Sequence, residues 1–176
     1  VPQYVDALCR EIEATKPFFA KYRSFYIGGG TPVSLPTDSL EKILKTIGKP
    51  GTEYTVEAGR PDCINDETLA LLKAYGVTRI CVNPQTFNDK TLVEIGRKHT
   101  AKDIFDKYAL AKKYGFDINM DLIAGLPGES LNDFKYSVDA AAELSPENVT
   151  VHTLSLKKGS VLKEKVERLA PGEIKN

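Results

Sequence analysis

Residues 24–35 of the chain spell SFYIGGGTPVSL, and this stretch joins the two kinds of element that recur along the sequence. A short run of β-forming side chains at 25–27 stops at three consecutive glycines. Three glycines in succession cost chain entropy and supply no side chains to pack. The stretch therefore predicts a strand end at which some other group comes close to the backbone.

The glycine loop matches neither of the two common phosphate-binding motifs. A P-loop needs a lysine after its last glycine, and none follows here. The GxGxxG dinucleotide motif is excluded because position 33 is a valine. The loop offers the bare amides and carbonyls of Gly29 and Gly30 beside the Thr31 hydroxyl. Such groups can hold a small zwitterion, and the alternative is a tight turn between a strand and a helix.

A strand followed by a helix recurs along the whole chain. Apolar runs predict five strands, at 25–27, 53–58, 77–83, 116–125 and 148–154. Helical spacing predicts helices at 3–15, 37–47, 65–76, 88–96, 100–115 and 130–145. We predict Thr37 and Ser130 as N-caps and Gly76 as the glycine that ends its helix. This alternation is typical of a parallel sheet covered by helices.

Two folds share this pattern: an open doubly wound sheet, and part of a TIM-like (β/α) barrel. A doubly wound sheet concentrates its site at one switch point, whereas a barrel collects its site from all the strand ends. Polar residues follow every predicted strand here, namely Gly29, Gly30, Thr31, Glu57, Asn83, Gln85, Asp121, His152 and Ser155. Five strands cannot close a barrel, so we predict an open arc of one. We expect a single domain over 1–176, with barrel repeats over 1–156 and a charged helix or tail over 157–176.

The composition excludes several classes of partner. Lys and Arg total 24, as do Asp and Glu, so no net charge attracts nucleic acid or an anionic membrane. No apolar run approaches the roughly 20 residues of a membrane span, and no signal peptide is visible, so we expect a cytoplasmic protein. Cys9, Cys63 and Cys81 lie too far apart for a CxxC metal clip. We expect all three to be buried, and we predict no metal ligands.

Four further side chains suit a nucleotide-like ligand, and each has a plainer alternative. Glu57 can accept from ribose hydroxyls or an ammonium group, or lie solvated at the rim. Gln85 offers a donor and an acceptor, or caps a loop. Arg97 can bind a carboxylate with two hydrogen bonds, or lie on the surface. Asp121 interrupts an apolar strand, where a carboxylate is costly without a ligand or a basic neighbour.

The two histidines, His99 and His152, have no second metal ligand at suitable spacing. We expect both to be hydrogen-bonded structural residues. No Ser/His/Asp set or zinc signature is present, so no catalytic residue is assigned. The polar residues together describe a concave mouth suited to a nucleotide-like small molecule.

Five segments, in order, resemble the radical S-adenosylmethionine (SAM) family of oxygen-independent coproporphyrinogen III oxidases. They are YIGGGTPVSL, TVEAGRP, PQTFNDKTLVEIGRKHT, INMDLIAGLPGES and NVTVHTLSLK. The similarity is closest to the coproporphyrinogen dehydrogenase-like branch of Gram-positive bacteria and extends from Val1 to about Lys163. It implies an incomplete (β/α)6 barrel with SAM across its mouth, the glycine motif holding the methionine end. Residue by residue, it implies SAM contacts from Gly29, Gly30, Thr31, Glu57, Gln85, Arg97, Asp121 and Ser155.

Two departures from the family pattern matter. The CxxxCxxC motif of the first barrel strand, which holds the [4Fe-4S] cluster, is absent. We therefore expect the cluster ligands to lie outside this chain, which begins at Val1, and we expect the chain alone to be inactive. The second departure is the segment NPQTF, where most relatives have a glycine and an aliphatic residue before the glutamine.

The resemblance implies an activity for the parent protein. In the family, SAM is cleaved reductively at the cluster, and the radical formed takes hydrogen from a porphyrinogen propionate. The propionate then loses CO2 and becomes a vinyl group, a step of haem biosynthesis. The family also includes haem-binding or haem-delivery proteins without oxidase activity, which is the alternative. A nucleotide-binding barrel of another purpose is the third hypothesis, and no electron donor is indicated.

Overall fold

The computed structural model describes residues 1–51 and 53–155, and its five parallel strands form one sheet. The strands are β1 Ser24–Ile27, β2 Glu53–Gly59, β3 Arg79–Gln85, β4 Asp117–Ala124 and β5 Asn148–Thr153. The helices are α1 Pro2–Thr15, α2 Thr37–Ile47, α3 Asp66–Ala74, α4 Asp89–Glu94, α5 Ala101–Lys113 and α6 Leu131–Leu144. The strands lie in the order β1-β2-β3-β4-β5, without the reversal that defines a doubly wound sheet. The predicted open arc of a (β/α) barrel is confirmed.

Each strand has one apolar face and one polar face, because successive side chains of a strand alternate between the two sides of the sheet. In β4, Ile118, Met120 and Leu122 are all 0% exposed and belong to the core. The residues between them, Asn119 and Asp121, line a cavity on the opposite, concave face. The alternation leaves the concave face free for chemistry while the convex face packs against the helices.

The core lies between the convex face of the sheet and the helices that cover it. Its fully buried side chains include Leu44, Tyr54, Leu69, Leu72, Ile80, Ile104 and Phe116. Complete burial of a side chain of this size stabilises the fold by about 1.5–3 kcal/mol. A smaller cluster of Val5, Cys9 and Ile43 joins α1 to α2.

The helix ends agree with the sequence at two positions and differ at one. Ser130 caps α6 in a capping box with Asp133, and Gly76 follows α3 with a left-handed φ of 81°, as predicted. The prediction of Thr37 as an N-cap is wrong, because Pro36 holds that position in α2. Thr37 already lies inside the first helical turn, and its hydroxyl donates instead to a Glu67 carboxylate oxygen at 3.1 Å.

Three short 3-10 helices were not predicted: Lys16–Lys21, Pro32–Ser34 and Pro61–Cys63. Each has a proline in its first two positions, where the fixed φ of proline favours a helical turn. Cys63 ends the last of these turns and is only half-buried, so the expectation that all three cysteines are buried is wrong for this one. The predicted helix or tail over 157–176 lies outside the described residues. Within the described part, no helix is both long enough and apolar enough to span a bilayer.

Candidate functional site

The concave face of the sheet holds a polar cavity of about 350 Å³ to which all five strands contribute. Its lining comprises Tyr26, Glu53, Thr55, Arg79, Cys81, Asn119, Asp121, Thr150 and His152. Glu57 belongs to the same row, because its register partner on β3 is Cys81. A site assembled from every strand is the arrangement of a barrel mouth.

The three glycines after β1 serve two different purposes. Gly29 and Gly30 adopt left-handed φ values of 86° and 68°, and a Cβ on either would meet no described atom within 4 Å. Gly28 is crowded instead, since a Cβ there would lie 2.3 Å from Cε1 of Tyr26. The Gly29 amide donates to Oε2 of Glu57 at 3.1 Å. The group that comes close at Gly28 is therefore a neighbouring ring, whereas the space beside Gly29 and Gly30 is open to a ligand.

Thr31 packs the glycine loop against the end of β2. A Cβ built on Gly59 would lie 3.0 Å from Cγ2 of Thr31. The carbonyl of Thr31 accepts from the Ser34 amide at 2.9 Å and from the Ser34 hydroxyl at 2.7 Å. These contacts give Thr31 a structural role, and its hydroxyl stays available to a ligand.

Glu57 and Asp121 place two carboxylates on the same face, both close to Tyr26 and Cys81. The Tyr26 hydroxyl lies 3.9 Å from Sγ of Cys81. Burial is the main cause that raises the pKa of Cys81, and both carboxylates raise it further. Neither carboxylate forms an ion pair with any residue that the structure describes. This part of the cavity is therefore negative and suited to a cation.

The expected basic neighbour of Asp121 is not found among the described residues. Asp121 instead accepts a hydrogen bond from Nδ2 of Asn119 at 2.8 Å. Its place on the concave face explains how an apolar strand tolerates it, because only the alternate residues of β4 enter the core.

The end of β3 is irregular where the sequence placed Gln85. Gln85 has a φ of 71°, which is unusual for a residue with a side chain, and the pairing of β3 with β4 shifts between Val82 and Gln85. Two residues earlier, Oδ1 of Asn83 is buried without a hydrogen bond among the described residues. Strained and unsatisfied groups of this kind cluster at ligand sites.

Arg97 lies outside the cavity lining, in the loop between α4 and α5, and is half-buried. Burial lowers its pKa, and Arg60 lowers it further while Asp62 opposes the shift. Arg60 lies 4.0 Å from the same Asp62 carboxylate. Arg97 forms no ion pair with a described residue, although Asp62 and Arg60 are both near enough to affect its pKa.

The two histidines lie in different environments. The His99 side chain is 0% exposed, with Nδ1 3.9 Å from Asp62 and no hydrogen bond from either ring nitrogen to a described residue. Burial is the main cause that lowers the pKa of His99, which favours the neutral ring. His152 is exposed and lines the cavity. The predicted structural role fits His99, which is buried with the Pro84 backbone and Asp62 beside its ring, although neither contact has close hydrogen-bond geometry.

Ser155 lies two residues beyond β5 and is exposed. The amide before it, of Leu154, donates to the carbonyl of Ala124 at 2.9 Å, which holds this segment beside the end of β4. Ser155 is thus at the correct edge of the sheet but does not line the cavity.

Several cavity residues escaped the sequence analysis: Tyr26, Thr55, Arg79, Cys81, Asn119 and Thr150. They lie within strands and not after them. The signal that finds them is the two-residue alternation with core positions. Within residues 1–51 and 53–155, no group of three His, Cys, Asp or Glu side chains could hold a metal ion.

Comparison with known proteins identifies the family. The family model described as the radical SAM superfamily matches residues 4–141. The chain is 43% identical over 155 residues to the "Oxygen-independent coproporphyrinogen-III oxidase-like protein HemZ" of Bacillus subtilis, covering 84% of this chain and 31% of that protein. It is 38% identical over 163 residues to the "Heme chaperone HemW" of the same organism, covering 88% and 43%.

The fold is also that of a solved structure, coproporphyrinogen III oxidase (HemN) from Escherichia coli, described as a radical SAM enzyme. The TM-score is 0.77 at 30% identity, covering 88% of this chain and 37% of that one. The chain thus spans less than half the length of each of these relatives. It belongs to the radical SAM superfamily, whose cofactors are SAM and a [4Fe-4S] cluster, and it resembles the coproporphyrinogen III oxidase-like members.

Proposed function

We propose that this chain is the SAM-binding core of a radical SAM protein that acts on the propionate side chains of a porphyrinogen. The proposal rests on two carboxylates of the same sheet face: Asp121 lines the cavity, and Glu57 lies just outside its lining, opposite Cys81. Neither has an ion-pair partner among the described residues. SAM has a sulfonium and an ammonium group, so a negative cavity beside an open glycine loop suits it.

The residues present fit SAM. A Cβ on Gly29 or Gly30 would meet no described atom within 4 Å, so a ligand can approach the loop closely, and the Gly29 amide already donates to Glu57. We assign the methionine end of SAM to these three residues. Gln85 and Asp121 supply polar groups at the ends of the next two strands.

The other assigned contacts lie further out, at the edge of the sheet. Arg97 is suited to the SAM carboxylate, because its guanidinium is half-buried and forms no ion pair with a described residue. The Thr31 and Ser155 hydroxyls complete the proposed set.

The cluster is a different case, because the described residues contain no set of ligands for it. SAM, when bound beside a reduced cluster, supplies the radical that takes hydrogen from the substrate. This chain's own residues bind and orient SAM, and no step of the reaction is assigned to them.

The porphyrinogen substrate is supported by the relatives, several of which carry names connected with coproporphyrinogen or haem. Oxidative decarboxylation to a vinyl group is the favoured reaction, because the first of these relatives is named oxidase-like. A haem chaperone is the second candidate, since several others carry that name.

Two carboxylates of β2 allow a matched test of the SAM site. Glu57 and Glu53 lie on the same strand and face, but Glu53 is paired with Arg79 at 3.5 Å. In the full-length protein, Glu57→Gln should weaken SAM binding by about 1.5–3 kcal/mol, measured by calorimetry, because a charged hydrogen bond is lost. Glu53→Gln should reduce the affinity much less, because its carboxylate, although it lines the cavity, is already paired with Arg79. Equal losses in both variants, or none in either, would contradict the proposed site.

Substrate and product decide between oxidase and chaperone. The full-length protein with its cluster is incubated without oxygen with SAM, a reductant and coproporphyrinogen III. An oxidase forms vinyl products and 5′-deoxyadenosine in proportion. Stoichiometric haem binding without decarboxylated product would favour the chaperone.

A further inference from the structure

We propose that Asn119 is a positioning residue, which holds the Asp121 carboxylate in the orientation that binds SAM. The inference rests on the proposed SAM site and extends it to a residue that the family resemblance did not assign. Asn119 lies two residues before Asp121 on β4, so both side chains face the cavity.

The Asn119 side chain is hydrogen-bonded at both ends of its amide. Nδ2 donates to Oδ1 of Asp121 at 2.8 Å. Oδ1 accepts from the Thr150 hydroxyl at 3.3 Å and also from Nδ2 of Asn148. Both donors lie on β5, where Asn148 is the register partner of Asn119. The amide is thus fixed by the neighbouring strand and in turn fixes the carboxylate.

The partners determine which way the amide of Asn119 points. If its oxygen and nitrogen were exchanged, the carbonyl would face the Asp121 carboxylate, and the NH2 group would face the donors of β5. An acceptor would then oppose an acceptor, and donors would oppose a donor. Only the orientation with Nδ2 toward Asp121 satisfies every group.

Asp121 is held by one oxygen and open at the other. Oδ1 accepts from Asn119, and this is the one side-chain hydrogen bond that Asp121 makes with the described residues. Oδ2 is left for a ligand in the cavity that Asp121 lines. A carboxylate with one tethered oxygen loses less rotational freedom on binding than a free one, so the tether strengthens ligand binding.

The plainer interpretation is that Asn119 only joins β4 to β5. The two roles use opposite ends of the same amide, so they can be separated by mutation. Asn119→Asp keeps the acceptor that bonds to Asn148 and Thr150 but removes the donor to Asp121. Asn148→Ala weakens the link between the strands and leaves the bond from Asn119 to Asp121 in place.

The test is calorimetric titration of the full-length protein with SAM, together with thermal melting of each variant. Asn119→Ala and Asn119→Asp should weaken SAM binding at least about tenfold. Asn148→Ala should lower the melting temperature and change the affinity less than about twofold. Asn119→Asp also controls for charge, because an added carboxylate would strengthen binding of a cation if net charge alone mattered.

A double-mutant cycle distinguishes positioning of Asp121 from a purely structural role of Asn119. Asn119→Ala made in the Asp121→Asn background should cause no further loss of SAM affinity, because the group that it positions has lost its charge. In assays of SAM cleavage, Asn119→Ala should raise the KM for SAM with little change in kcat.

The outcomes separate this inference from the proposed function. If the wild-type protein does not bind SAM, both are overturned. If the wild-type protein binds SAM and both Asn119 variants bind it equally well, only the positioning role is overturned. The same follows if the affinity losses at positions 119 and 121 are simply additive.

Discussion

The two ends of the concave face carry similar side chains in different states. At the amino ends of the strands, Glu53 of β2 pairs with Arg79 of β3 at 3.5 Å, and the strand register there is regular. At the carboxyl ends, Glu57 and Asp121 have no ion-pair partner among the described residues. The register of β2 with β3 also shifts there, between Glu57 and Gly59.

The two ends of the sheet therefore differ in whether their charged side chains are already paired. Paired charges in a regular ladder satisfy each other and leave little for a ligand. Unpaired carboxylates beside left-handed backbone keep their hydrogen-bonding capacity for a molecule that binds. Four experiments test this difference.

The largest expected effect is the joint removal of both unpaired charges. Glu57→Gln combined with Asp121→Asn should weaken SAM binding by about 3 kcal/mol or more, because each variant removes one charged hydrogen bond. The matched control is Glu53→Gln with Asp117→Asn, on the same two strands at the other end. Calorimetry should show little change in the control. A similar loss of SAM affinity in the control would show that the carboxylates at the two ends of the strands do not differ in ligand binding.

The second effect concerns glycines at the two ends. Gly59, at the carboxyl end, has a φ of 68°, and a Cβ there would lie 3.0 Å from Thr31. Gly76, near the amino end of β3, has a φ of 81°, and its Cβ would meet the flexible Lys49 side chain at 3.4 Å. Gly59→Ala should cost about 2–4 kcal/mol of unfolding free energy, combining backbone strain with overpacking.

Gly76→Ala should cost only the strain, about 1–2 kcal/mol. Denaturant unfolding of both variants gives the comparison. Equal costs would mean that Thr31 moves aside freely and does not anchor the glycine loop.

The third effect depends on pH. Burial lowers the pKa of His99, so the folded state stays neutral at pH values where the unfolded histidine, with a pKa of about 6.5, binds a proton. Stability should therefore fall as the pH drops below about 6.5, by at most about 1.4 kcal/mol per pH unit from this group. Unfolding measured between pH 7 and 5 should show a shallower slope in His99→Gln.

The smallest effect is expected at the paired end. Glu53 and Arg79 have side chains 49% and 30% exposed, so water screens their attraction. Glu53→Gln should cost less than about 1 kcal/mol of unfolding free energy. A larger cost in a thermal or denaturant melt would show that this ion pair stabilises the floor of the cavity.

Much of the architecture was predictable from the sequence, because strands and helices alternate with clear periods. The position of Asp121 was visible as one polar residue in an apolar strand. The N-cap of α2 was not, since a proline before Thr37 took the position that a hydroxyl usually fills. The neighbours of His99 were not visible either, because no local pattern reports what surrounds a buried ring.

The site was predictable where a glycine loop follows a strand or a polar residue stands out near the end of an apolar one. Glu57 and the glycines lie near strand ends that are followed by turn residues, and turn residues mark the edge of the sheet. Asn119 has no such mark, and its partner Asn148 lies 29 residues away on the next strand. Its role depends on register, which a single sequence does not specify.

The alternation along β4 has a consequence for how this protein can change. Core positions 118, 120 and 122 tolerate few substitutions, while the intervening positions 117, 119, 121 and 123 face away from the core. A saturation library screened only for folding should therefore show tolerance with a period of two along the strand. Exchanging only the residues that face the cavity could then give the same fold a new ligand, because the residues that form the core alternate with them along the strand.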